Sequence, residues 1–309
     1  MIAYILRRLV QSVFVIFGVA CVTFLILRLV PGDPARLMVP PGTSEKVVDS
    51  LRRELGTDQP LIVQFGRFLG GLLQGDLGES FRQGRPVLEL VLEALPATLA
   101  LATTTMLTAV LVAVPLGIVA AYRSGGILDR VILMFSLAGQ SVPNFWLGVM
   151  LVLVFAIRLQ WFPAIGMAGP GSIVLPTLTL ALILVAILVR TVRQSMLEAL
   201  NEDYVRTARA KGMPETKVVL VHALKNAAIP LVTILGLQVG FVLGGAFVVE
   251  LIFDWPGVGL LALEAIDTRD FPVVQGVVIL VAAVFTIANL AVDIAYAYLN
   301  PRVRLGGET

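Results

Sequence analysis

"ALPATLALATTTMLTAVLVAVPLGIVAAY" occupies Ala94–Tyr122, and not one of its side chains is charged. About 20 apolar residues, at ~1.5 Å of rise each, cross a hydrocarbon core of ~30 Å. The stretch is therefore long enough to span a membrane as a single helix. Its apolar character is continuous rather than alternating, which favours a helix over a barrel strand. Five further uncharged runs follow the same logic: Leu9–Leu27, Val131–Ile157, Leu159–Val189, Ala227–Val249 and Phe271–Val292. The run from Leu159 opens with the turn-rich "LQWFPAIGMAGPG", so its helix is expected from about Ser172.

The pattern predicts an all-α integral membrane protein with six transmembrane helices. The first occupies 1–30; the other five lie at about 94–122, 131–157, 172–195, 227–250 and 271–299. Composition agrees: 58% of residues are hydrophobic and 14% charged, against roughly 25% charged in soluble domains. A net charge of +2 is too small to argue for nucleic acid. The one cysteine, Cys21, lies inside the first span and leaves no internal disulfide to form.

Residues 1–30 admit a second reading as a signal peptide, because Arg7 and Arg8 resemble its basic start. The 19 uncharged residues of Leu9–Leu27 exceed a typical core of about 7–15, and no small-residue cleavage site precedes Arg28. A retained anchor is the expectation. Basic residues orient the chain. With the N-terminus cytoplasmic, the inner side receives Arg7, Arg8, Arg123, Arg130, Arg302, Arg304 and seven basic residues between Arg190 and Lys225. The outer loops Gln160–Gly171 and Asp254–Asp270 hold only Arg269. Both termini are expected inside, with residues 300–309 as a cytoplasmic tail.

Residues 31–93 form the long extracytoplasmic connection. "SEKVVDSLRRELG" (Ser44–Gly56) has a capping Ser, apolar residues at helical spacing and a Gly stop. "PLIVQFGRFLGGLLQG" repeats this with Pro first, and "PVLELVLEALPATL" leads into the second span. A helical platform on the outer membrane surface is expected, the alternative being a solvated loop.

The cytoplasmic segment 196–226 separates the fourth and fifth spans. Met196–Lys211 reads as a helix with Leu197, Leu200, Tyr204 and Ala208 on one stripe. Gly212 suits a C-terminal stop and Pro214 the first turn of a second helix, Glu215–Asn226, with Pro230 opening the fifth span. The hinged pair either docks into a groove on another protein or folds against its own bundle. The physics of the segment leaves these two readings level.

Motifs exclude some chemistry. No G-x-x-x-x-G-K-[ST] occurs, so no phosphate cradle is expected, and neither H-E-x-x-H nor G-x-S-x-G is present. The single histidine, His222, has no nearby cysteine and reads as a packing or capping group rather than a metal ligand. Polar residues within the spans face the bundle or a cavity rather than lipid. Gln140, Ser141, Asn144, Gln238 and Asn289 are thus candidates for a translocation path, interhelical hydrogen bonding being the alternative. Glu250 and Asp254 stand near the outer end of the fifth span, as a gate or a contact for an external partner. Asp293, near the inner end of the sixth, is expected to pair with Arg302 or Arg304. No charged residue lies mid-span and no inverted repeat is apparent, which argues against a stand-alone secondary transporter.

"DYVRTARAKG…HALKNAAIP" resembles the cytoplasmic EAA-type loop of ABC-transporter permeases, in the variant of the dipeptide and oligopeptide importer family. "RLVPGDP", "LGTDQPLIVQF", "GDLGES", "LPATLAL", "LPTLTLA", "GLQVGFVLGGAFVVELIFDWPGVGLL", "RDFPVVQG" and "NLAVDIAYAYLNPRVR" extend the resemblance over nearly the whole chain. The order and spacing of these strings make it specific. The general Glu-Ala-Ala consensus survives only at Ala208, and the interval from Gly212 to Pro230 is five residues longer than that consensus; the peptide-importer branch shares both departures.

The resemblance implies a permease subunit with no cofactor of its own, ATP and Mg being held by partner subunits. A second, related permease subunit, two ATP-binding subunits and an extracytoplasmic solute-binding protein would complete the importer. The hinged segment would be its coupling helix, with Tyr204, Arg206, Ala208, Arg209 and Gly212 meeting the ATPase. Dipeptides or short oligopeptides are the implied cargo. Glutathione, nickel chelates or another small solute are the alternatives, because such importers share the pattern.

Overall fold

The computed structural model describes residues 2–29, 33–40 and 42–299. The expected tail 300–309, with Arg302 and Arg304, and the side chain of Asp293 lie outside the described residues, as do 30–32 of the "RLVPGDP" string. The described residues form helices α1 (Ile2–Leu29), α2 (Pro34–Leu37), α3 (Glu45–Leu55), α4 (Leu61–Leu73), α5 (Val87–Tyr122), α6 (Ile127–Ser141) and α7 (Asn144–Leu151). They continue with α8 (Val174–Leu200), α9 (Asp203–Ala210), α10 (Glu215–Lys217), α11 (Leu224–Phe253), α12 (Val258–Asp267) and α13 (Phe271–Leu299). Among the described residues five helices are long and apolar enough to cross a membrane, or up to six if one bent pair counts as a span. The described residues divide into two compact units, 2–5, 99–255 and 287–299 in one and 6–29, 33–40, 42–98 and 256–286 in the other.

In the first unit α8 is the central rod. In its most apolar stretch 56% of residues are buried, against 17–33% in the other candidate spans. Small residues bring its neighbours close. A β-carbon on Gly117 of α5 would lie 2.6 Å from Val192 Cβ, and one on Gly245 of α11 would lie 3.2 Å from Leu180 Cδ2. Without a strong hydrophobic drive inside lipid, such backbone approach is what lets helices pack.

The third expected span is not one helix. α6 ends at Ser141, and α7 with its π-helical continuation Val152–Arg158 departs at 100°. Pro143 explains the break. It clashes with a helical predecessor and has no N–H to donate. Val142 is accordingly extended at φ −88°, ψ 122°, and Pro143 caps α7.

Two further boundaries differ from expectation. α8 runs to Leu200 and stops, with Asn201 Nδ2 donating to the Leu197 carbonyl at 2.9 Å and Glu202 extended. The expected single helix over 196–211 is thus two, Leu197 and Leu200 on α8 and Tyr204 and Ala208 on α9. The helix expected over Glu215–Asn226 does not end before Pro230. α10, the π-helical Val218–Ala223 and α11 continue into one another as far as Phe253, with Pro230 inside.

In the second unit the helices expected within Ser44–Gly56 and Pro60–Gly75 are present as α3 and α4. α3 stops at Gly56, which is left-handed at φ 66°, and Thr57 N–H reaches back to the Arg52 carbonyl at 2.9 Å. Arg52 then binds Asp33, the cap of α2, at 2.6 Å. Phe24 of α1 packs on Phe65 and Phe68 of α4, with ring centroids 5.2 and 5.7 Å away. Asp270, just before α13, gathers the loop that precedes α5. Its carboxylate accepts Ser80 Oγ at 2.5 Å, Phe81 N–H at 3.1 Å and Arg82 N–H at 3.3 Å.

Candidate functional site

α9 is short and carries charges suited to its dipole, Asp203 in the first turn and Arg209 in the last. Val205 and Ala208 form its buried edge. Tyr204, Arg206, Thr207, Arg209 and Lys211 are exposed. Ala208 therefore seats the helix on its own chain rather than on a partner.

The bend that follows is closed in three ways. Gly212 adopts φ +73°, and Met213 N–H returns to the Ala208 carbonyl at 3.3 Å, closing a Schellman turn. Pro214 then caps the next helix. Across the bend Arg209 Nη2 donates to Glu215 Oε1 at 2.7 Å and Nε to Oε2 at 3.2 Å. This pairing raises the guanidinium pKa above its ordinary value. Arg206 pairs with Asp203 within α9. Both expected partner-facing arginines thus have internal carboxylates, while Tyr204, Thr207 and Lys211 are exposed with no carboxylate against them. Beside the bend lies a cavity of about 470 Å³ lined by residues that include Tyr122, Leu128, Val219 and Leu220.

Behind this segment stands a contact absent from the sequence reading. Arg193 of α8 grips Asp129 of α6 with Nε to Oδ1 at 2.6 Å and Nη2 to Oδ2 at 2.8 Å, and Gly125 N–H donates to Oδ2 at 2.8 Å. The Asp129 side chain is 4% exposed. The two residues are 64 apart in sequence, and no local motif links them.

The path candidates separate. Gln140, Ser141 and Asn144 gather at the α6–α7 break. Gln140 Oε1 accepts Arg190 Nη2 at 2.7 Å, and Ser141 Oγ donates to the Leu137 carbonyl at 3.0 Å. Asn144 Oδ1 is buried without a hydrogen-bond partner, and its Nδ2 lies 3.7 Å from where a Gly245 β-carbon would sit. Gln238 Oε1, roughly 10 Å along α11 from Gly245, is also buried and unpartnered. Asn289 is half-buried on α13 and has a partner. Glu250 is fully buried, so it presents no carboxylate to an external protein. Asp254 is exposed, at φ +48° where α11 ends. His222 sits half-buried in the π-helical turn with Nε2 unpartnered. Among the described residues no cluster of three His, Cys, Asp or Glu could hold a metal.

Residues 113–305 match the family "Binding-protein-dependent transport system inner membrane component", and residues 1–102 match its N-terminal companion family. The glutathione transport system permease protein GsiC of Salmonella paratyphi A is 44% identical over 304 residues, 98% of this chain and 99% of that protein. A probable peptide ABC transporter permease protein, y4tP of Sinorhizobium fredii, is 41% identical over 309 residues, 97% of this chain and 99% of its own. A solved structure of the MetNI methionine ABC transporter, inward-facing, is similar with a TM-score of 0.58 at 19% identity. It covers 68% of this chain and 96% of the other and shows a shared fold. The chain belongs to the binding-protein-dependent ABC transporter permeases: it is a multi-pass inner-membrane subunit, not itself catalytic, that works with ATPase subunits and a solute-binding protein.

Proposed function

We propose that this subunit forms the membrane path of an ATP-driven importer of short peptides, glutathione included, and that α9 is its coupling helix. The α6–α7 pair completes six spans with both termini cytoplasmic, as the basic residues of the short loops favour. The segment 31–93 then lies outside and α9 inside. A second, related permease completes the path. Two ATP-binding subunits supply ATP and Mg, and the solute-binding protein delivers cargo.

One observation carries the coupling assignment. α9 rests on its own chain through Val205 and Ala208 and turns Tyr204, Thr207 and Lys211 outward beside a bend closed by Gly212. The relatives named for glutathione and peptide transport support the cargo. Membrane vesicles holding the complete importer test the reading. With binding protein present, labelled trialanine or glutathione enters only with ATP on the ATPase side. Uptake driven by an ion gradient without ATP contradicts it, and so does uptake of neither peptide.

A further inference from the structure

The unit of residues 6–98 and 256–286 encloses a cavity of about 610 Å³ bounded by α1, α3, α4, the 76–84 loop and the start of α13. Pockets of ~300–1,000 Å³ with a few convergent polar groups are where small ligands bind. Arg28 lines this one, its guanidinium carbon 5.3 Å from the centroid of the Phe24 ring. Arg67 lies opposite Gly56, with Nη1 2.5 Å from the point a β-carbon there would occupy. Glu54 and Glu79 line the same space. Among the described residues neither arginine meets a carboxylate, and neither glutamate meets a cation.

Two amides complete the lining. Gln64 Nε2 donates to the carbonyls of Gln59 at 2.7 Å and Thr57 at 3.3 Å, which fixes that side chain. Its Oε1 is nevertheless buried without a partner, and so is Nε2 of Gln275. The cavity is therefore lined by two cations and three anions, Asp76 being the third, all exposed and without ionic partners among the described residues, together with one unused amide acceptor and one unused amide donor. Buried polar groups ordinarily find partners, so the two stranded amide atoms suit a ligand with both kinds of hydrogen-bonding group, and the exposed charges of both signs around them suit one that carries both charges.

We propose that this cavity is a receiving site for a short zwitterionic peptide. The peptide carboxylate meets Arg28 and Arg67, the ammonium group meets Glu54 and Glu79, and a peptide bond between them meets Gln275 Nε2 and Gln64 Oε1. Guanidinium groups suit carboxylates because their forked donors match the two oxygens. The assignment rests on the reading above, in which the segment 31–93 lies outside and the cargo is peptide; it adds a place on the permease where cargo lodges after leaving the binding protein.

The test uses the complete importer in lipid nanodiscs without binding protein, titrated calorimetrically with trialanine, its N-acetyl form, its C-terminal amide and glutathione. Trialanine or glutathione is expected to bind saturably. Each capped trialanine should bind about tenfold more weakly or worse, as expected for loss of one charge-assisted hydrogen bond. Arg67→Gln and Glu54→Gln should weaken binding to a similar extent, and Arg67→Lys, which keeps the charge but loses the forked donors, should fall between Arg67→Gln and the wild type. Both side chains are exposed enough for the variants to assemble, which basal ATPase activity verifies. No saturable binding, equal affinity for capped and free peptides, or indifference to both variants overturns the site. So does loss of binding-protein docking in the variants while peptide affinity stays unchanged, because the cavity then belongs to that protein. Uptake measured on the same preparation separates the two levels: an importer that takes up peptide but fails these titrations loses the site alone, whereas one that takes up no peptide loses the cargo reading.

Discussion

Arg193 and Asp129 meet through two parallel hydrogen bonds, Nε to Oδ1 at 2.6 Å and Nη2 to Oδ2 at 2.8 Å, joining the last third of α8 to the first turn of α6. The pair stands ten residues before α9 and ties the helix that leads into the coupling segment to its neighbour. Breaking one member of a buried pair leaves the other charge stranded and costs about 3 kcal/mol or more. Asp129→Ala and Arg193→Ala should each lower the thermal inactivation midpoint of the purified importer. The double variant should lose much less than the sum, because both remove one interaction. Additive losses contradict the pairing.

At Gly212 the conformation, rather than the space, is the constraint. Nothing lies within 4 Å of a β-carbon placed there, but φ is +73°, a conformation that costs an L-residue about 1–2 kcal/mol. Gly212→Ala and Gly212→Leu should therefore reduce transport and stimulated ATPase activity to similar extents. Gly212→Asn should be milder, because Asn tolerates left-handed backbone. A steep dependence on side-chain size instead places the glycine against a partner surface; wild-type transport by Gly212→Trp contradicts any role for the bend.

Arg209 and Glu215 brace the same bend from outside, and both side chains are about two-fifths exposed. Such an exposed pair adds little to stability, so its value lies in geometry. Arg209→Glu should impair coupling, measured as ATPase stimulation by loaded binding protein. Adding Glu215→Arg should restore it. Failure of the swap to rescue shows that Arg209 acts on an ATPase carboxylate instead.

Asp270 holds Ser80, Phe81 and Arg82 through one carboxylate. Asp270→Ala strands the buried Ser80 hydroxyl and the Phe81 N–H, at a cost of roughly 3 kcal/mol. Limited proteolysis of the intact importer should then cut between residues 75 and 86 faster than in the wild type. An unchanged rate contradicts the anchoring role.

Much of this molecule is legible in its sequence, and the exceptions share a cause. Apolar runs place the spans because each helix satisfies its own backbone groups in lipid. Gly56 and Gly212 end helices as expected because a left-handed turn needs glycine. Pro143 carried the signal for the broken third span, but it lies inside the uncharged run Val131–Ile157, whose length alone reads as one helix. The opposite holds at Pro230, which reads as a helix start and lies within one. Ser80 and Asp270, 190 residues apart, like Asp129 and Arg193, have no local signature. Their pairing depends on which helices meet. Glu250 read as an outward acid by its place in sequence, but the fold buries it.

The account turns on α9 touching the ATPase. In a Cys21→Ser background, which removes the only native thiol, Thr207→Cys or Lys211→Cys can be paired with single cysteines on the ATPase subunit in intact cells. Disulfide or short bis-maleimide crosslinks that form between α9 and the ATPase, and change in yield with nucleotide state, are predicted. Repeated failure of both positions to capture that subunit, in a complex that still transports, would contradict it.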